Sequence, residues 1–305
     1  IVFNPVLEND SFKEEYVEQE KKNIKKIIEG KIDNTARYAF DRCIEEMYQD
    51  KPYGLYKYGY IEDLSKITSK ELYDYYKKMI SDCKIDIFVS GEVNNTKQII
   101  MENENIKKLS ERNPNYKINQ IENKEKVEKK EIKEAMDVTQ GKIVIGLDLH
   151  LDNEKQIYDT VVYNAILGGT ANSKMFQEVR EKASLAYTAG SSYIRYKSNI
   201  FIRCGIEIKN YEQTMEIIRK QLEDMKNGIF TEEDIENAKK GITSSIKSID
   251  DEQDTEITYF FGQELKNIKT SLEQYINKIN EVKKEDIIKI AKSITVNTVY
   301  FLNNK

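Results

Sequence analysis

The sequence predicts an α+β fold of two related domains, each an antiparallel sheet with helices packed on one face, the first of them N-terminally truncated. Three observations carry this expectation. Two helical patterns echo each other about 215 residues apart, Ile67 aligning with Val282. In both copies the helices lead into a β-rich run, IDIFVSG at 85–91 and TVYFLNN at 298–304. A polar, charge-dense stretch with Pro114 separates the copies, which is the composition of a linker. A chain of 305 residues has room for two such domains, each burying its own core.

The elements follow in order. VEQEKKNIKKII (17–28) and DNTARYAFDRCIEEMY (33–48) read as amphipathic helices and echo 235–246 and 251–266, with Ile24 on Ile242 and Ile28 on Ile246. In IEDLSKITSKELYDYYKKMI (61–80), Thr68 and Glu71 fit a capping box. Its Leu72, Tyr75 and Met79 share one helical face and align with Ile287, Ile290 and Ile294. The second copy has a front part that the first lacks: a strand at 141–149, helices at 152–167 and 172–182, and a hairpin of 185–196 with 199–209. Gly228 reads as a helix stop and Thr231 as the next helix start. The expected domains are therefore 1–101 (the C-terminal part of the first), 102–135 (a linker with some helix at its start) and 136–305 (the complete second). If the halves match, about eighty residues of the first domain's front are absent from this sequence.

Composition narrows the function. Charged residues make up 33% and mean hydropathy is −0.67, yet apolar residues recur at helical spacing, the pattern of a folded chain with a charged surface. A net charge of −5 with Lys and Glu interleaved gives no one-signed basic face for nucleic acid. No apolar run approaches the roughly 18 residues that span a bilayer. Cys43, Cys83 and Cys204 lie far apart without a CxxC pair, as in a reduced cytoplasmic chain with buried thiols. The Ile, Lys and Asn richness is that of an AT-rich bacterial genome. His150 is the single histidine, and at a strand end it reads as structural, so paired-histidine zinc chemistry cannot be assembled from these residues. Gly168 and Gly169 read as a helix stop, with no Walker lysine after them. YGLYKYGY (53–60) reads as a partly buried loop on the first sheet.

One stretch carries more. LGGTANSKMFQEVREKASLAY (167–187) resembles the C-terminal-domain signature of the pitrilysin/insulinase family of zinc metallopeptidases: small residues, an aromatic, then an Arg followed seven residues later by a Tyr, here Arg180 and Tyr187. KPYG (51–54) and IDIFVSGEV (85–93) resemble runs of that family's first domain. The resemblance implies two halves around a chamber in which extended peptides are cut at an HxxEH zinc site. Arg180 and Tyr187 would hold the peptide and its developing oxyanion, a charge that needs preorganised donors. HxxEH itself is absent here. Glu20 and Lys21 match the lead to the family's third metal ligand, but the ligand position is Ile27. Glu29 lies about 200° further round the helix and cannot substitute.

The resemblance thus implies a non-catalytic, pseudo-peptidase subunit, with no metal bound by this chain and zinc on the partner. That partner is an HxxEH-bearing subunit of the same family, or a second copy of this chain, and the ligand a peptide; nucleic acid and membranes are not partners. Two alternatives stay open: a self-sufficient zinc endopeptidase whose HxxEH segment lies outside this sequence, and a structural or assembly subunit with no role in cleavage.

Overall fold

The computed structural model describes residues 2–49, 51–92, 94–112, 114, 128–266 and 268–305. In chain order they form β1 (Leu7–Glu8), β2 (Ser11–Phe12), α1 (Glu14–Glu29), α2 (Thr35–Met47), α3 (Ile61–Leu64), α4 (Ser69–Asp82), α5 (Thr96–Glu102), α6 (Glu104–Ser110), β3 (Lys130–Met136), β4 (Gly141–Asp148) and α7 (Lys155–Asn164). Two π-helical segments follow, Ala165–Gly169 and Met175–Lys182. The chain continues with β5 (Ala186–Ile194), β6 (Asn199–Ile206), α8 (Tyr211–Lys226), α9 (Glu232–Lys247), α10 (Gln253–Lys266), α11 (Leu272–Asn280), α12 (Lys284–Ser293) and β7 (Thr295–Asn304). The α+β class expected from the sequence is the class observed.

The residues divide into two units that are interleaved along the chain. One comprises 1–31, 56–119 and 249–269, the other 32–55, 120–248 and 270–305. Two helices are exchanged relative to the contiguous segments expected above: α2 belongs to the second unit and α10 to the first. Helical periodicity fixes which face of a helix is apolar but not which sheet that face will meet. Residues 113 and 115–127 of the expected linker lie outside the described residues. Its start forms α5 and α6, and its end forms β3.

The second unit is built on a five-stranded sheet of order β3-β7-β4-β6-β5. Its pairs are antiparallel except β3 with β7, which run parallel. Each face follows from the period-two alternation of strand side chains. Val144, Phe201, Tyr300 and Leu302 pack beneath Ala39, Phe40, Cys43, Met47 and Tyr48, so α2 covers part of one face. Ile143, Ile145, Ile200, Ile202 and Val299 alternate with them and are buried on the other face. There Tyr211, at the start of α8, stacks on Phe301 at 4.2 Å, and α12 packs against α7 and α8. Each large side chain so buried contributes about 1.5–3 kcal/mol. Glu134 on β3 ties the parallel edge to α2, accepting hydrogen bonds from Tyr38 Oη (2.5 Å), Tyr300 Oη (2.7 Å) and Arg42 Nε (3.2 Å). Gly228 stands at φ +71° after α8, and Thr231 caps α9 in a capping box with Asp234.

In the first unit, Phe12 meets Tyr73 and Tyr76 of α4 edge-on at 5.3 and 5.6 Å. The Thr68–Glu71 capping box is formed. The Arg112 guanidinium donates to the carbonyls of Ile80, Ser81 and Cys83, closing the C-terminal end of α4. Ile85–Gly91, expected as a strand, pairs with no strand among the described residues. It is held instead along α10, through Lys84–Glu264 (2.6 Å), Ser90–Glu256 (2.5 Å) and the edge contact of Phe88 with Phe261. YGLYKYGY packs otherwise than expected: Tyr53 lies edge-on to Tyr48 at 4.9 Å in the second unit, while Tyr58 and Tyr60 are exposed.

Candidate functional site

Arg180 and Tyr187 sit at either end of a short connection between the second π-helical segment and β5. A π-turn closes the segment, Ala183 N–H donating to Glu178 O at 3.3 Å; such turns are rare and widen the helix locally. Leu185 N–H then donates to Val179 O at 3.1 Å, and Ser184 takes a left-handed φ of +52°. The chain is thereby turned directly into β5, the last strand in the sheet order.

Arg180 stacks its guanidinium 4.7 Å from the Phe176 ring. Its nearest acid is Glu181, Nε to Oε1 at 3.7 Å, with both side chains about half exposed. An ion pair of that length and exposure holds little energy, so the guanidinium fork keeps donors for an incoming group. Glu178, the other neighbouring acid, is taken by Lys182 at 2.7 Å.

Tyr187 is not a core residue of the sheet: it is 54% exposed. The β5–β6 register explains why. Ala186 pairs with Ile206 and Thr188 with Gly205, so Tyr187 is an extra residue in a β-bulge. Bulges re-aim a side chain and break the ladder locally. Here the Gly205 N–H goes to Thr188 Oγ1 at 3.2 Å, a side chain replacing a ladder partner. Sequence periodicity could not reveal the bulge or Thr188; the run AYTAGSSYI carries no bulge signal of its own.

Gly168, read above with Gly169 as a helix stop, also has a packing reason. A Cβ placed there would lie 2.4 Å from Ser191 N, so the first π-helical segment crosses β5 in close contact.

The residues matched to the metal-ligand run do not fit a zinc ion. Ile27, on α1, offers only hydrocarbon and is 42% exposed. Glu20 accepts from Asn23 Nδ2 at 3.3 Å, and Glu29 pairs with Lys25 at 3.7 Å. His150 is exposed beyond β4, 3.6 Å from Asp152. Among the described residues no three His, Cys, Asp or Glu side chains converge as a metal-binding group. Cys43 and Cys204 are buried, and burial pushes both thiols up to about 12; Cys83, expected buried, is exposed. No helix among the described residues is long and apolar enough to cross a membrane.

Residues 66–242 match the family described as the peptidase M16 inactive domain. The chain is 37% identical, over 99% of its length and 71% of the relative's, to a Bacillus subtilis (strain 168) protein named probable inactive metalloprotease YmfF. Among solved structures, a conserved protein from Enterococcus faecalis V583 is similar at a TM-score of 0.83 and 25% identity, covering 100% of this chain and 72% of that one. A peptidase M16 inactive domain from Pseudomonas fluorescens aligns at 0.75 and 15% identity, covering 96% and 72%.

Proposed function

Because this chain belongs to the peptidase M16 family, we propose that it is a non-catalytic member that pairs with an HxxEH-bearing subunit and helps to hold the peptide cut there. The observation that carries the reading is the placement of Arg180 and Tyr187: both exposed, on either side of one tight turn, with Tyr187 lifted out of the ladder by a bulge on the terminal strand. A guanidinium and a phenol placed so can donate to a peptide carbonyl or to the oxyanion that develops from it. The side of β5 away from β6 pairs with no strand among the described residues, so an extended peptide has backbone groups to meet there.

Ile27 separates this reading from a self-sufficient peptidase, since the position that should supply a carboxylate supplies none. Zinc and the water it activates belong to the partner in this account. Residence in the cytoplasm is part of the proposal, supported by three cysteines that are all free.

The test is reconstitution with an HxxEH subunit of the same genome and a fluorogenic peptide. Neither chain alone is expected to cleave at the rate of the pair, and zinc analysis should find the metal on the HxxEH subunit. Arg180→Ala should lower kcat/KM of the pair about 10- to 100-fold. Cleavage and about one tightly held zinc in this chain alone would replace the proposal with the self-sufficient enzyme. An unchanged kcat/KM for Arg180→Ala would leave an assembly subunit.

A further inference from the structure

A cavity of about 500 Å³ lies within the second unit, beside α2 and over β4, β6 and β5. Its volume is that of a pocket able to take a ligand segment, not a single ion. Register explains how it forms. Lys142, Gly205 and Thr188 lie in one cross-strand row, and Val144, Arg203 and Gly190 in the next. α2 covers the Val144 end of these rows. At the other end Gly190 and Gly205 offer no side chains, so the floor stays low and the space stays open.

The charge of the lining is one-sided. Arg37, Lys142 and Arg203 face the cavity, and no Asp or Glu among the described residues lines it. Arg37 is shared with Asp41 at 2.9 Å, one turn along α2. Lys142 donates to the neutral Gln140 Oε1 at 2.8 Å, and burial pulls its pKa down. Arg203 has no carboxylate partner among the described residues. Its guanidinium stacks on Phe40 at 5.3 Å, and that of Arg37 lies 5.5 Å from the same ring. In a chain whose net charge is −5, three cations converging on a recess without acids are an exception to the general surface. A stacked guanidinium is also held in place, so a binding partner spends less conformational entropy ordering it.

We infer that this cavity binds a carboxylate side chain of a peptide, an Asp or Glu whose carboxylate meets Arg203 and Lys142 while its neighbours lie against Phe40 and the glycine floor. The carrier being a peptide rests on the function proposed above and on geometry: Thr188 and Gly190, in the floor, belong to the same strand as the bulged Tyr187. The proposal adds a preference for acidic segments that Arg180 and Tyr187 do not specify.

The experiment is fluorescence anisotropy of the whole chain with two labelled decapeptides, identical except that Glu residues in one are Gln in the other. The Glu peptide should bind about tenfold tighter, the size of one charge-assisted hydrogen-bonded pair. Arg203→Gln should bring the two affinities together, and Lys142→Gln should narrow the gap, giving a second variant should the first fold poorly. Equal binding of both peptides to the unaltered chain, or a gap that survives in both variants, overturns the assignment. Inorganic phosphate binding as tightly as the Glu peptide, with the same dependence on Arg203, overturns the peptide carrier and makes the cavity a small-anion site. Arg180→Ala separates the two proposals. It should weaken both peptides alike if the peptide-holding role stands, and neither if that role fails, while the Glu-over-Gln ratio reports on the cavity alone.

Discussion

At the scale of single residues, Glu134 links the stability of the second unit to pH. Burial alone would raise its pKa, but the donors of Tyr38, Tyr300 and Arg42 outweigh burial and hold the carboxylate below its usual range. A group whose folded pKa is depressed contributes stability that is present above its unfolded value, near 4.3 for Glu, and lost as pH falls through the folded value. Unfolding of the unaltered chain should therefore become easier as the pH drops below about 4, and Glu134→Gln should flatten that part of the profile. Urea titrations at stepped pH would show it; identical acid limbs for both proteins would mean that Glu134 is not a linked group. Legibility at this scale was uneven. Arg180 and Tyr187 were readable because they lie in one run of sequence. Arg37, Lys142 and Arg203 were not, because only strand register and the placement of α2 bring them together.

At the scale of elements, the two helix patterns aligned in the sequence can be compared in burial. Ile287, Ile290 and Ile294 on or beside α12 are 0%, 1% and 7% exposed, whereas their aligned counterparts Leu72, Tyr75 and Met79 on α4 are 38%, 68% and 42% exposed. Among the described residues α12 lies against α7 and α8, and no such helix pair lies on α4. Ile290→Ala should cost about 2–5 kcal/mol, as core truncations do, and Tyr75→Ala less than about 1 kcal/mol. Chemical denaturation of the two variants checks it, and comparable losses would show that α4 packs as deeply as α12. The helices, the Thr68–Glu71 capping box and the hairpin were legible because their signals are local. The run 85–91 has the composition of a strand, but a strand exists only with a neighbour, and composition does not say whether one is present.

At the scale of the whole molecule, the exchange of α2 and α10 between units makes long-range dependence a testable property. Ala39, on α2, is fully buried in a cluster with Val144 of β4, about a hundred residues later in the chain. Ala39→Arg should therefore speed amide exchange along Gly141–Asp148 roughly tenfold or more. Exchange unchanged in β4 would mean that α2 is not needed to hold the sheet. The register of β7 reaches further still. It is the last strand in the sequence, yet it lies between β3 and β4, donating and accepting along both of its sides. A ribosome would have to finish translating residues 295–304 before β3 and β4 could be joined at all. Until then β4 presents an open edge to every other nascent chain nearby, so the second unit cannot mature piecemeal during synthesis, and its nascent form is the kind of client that chaperones hold.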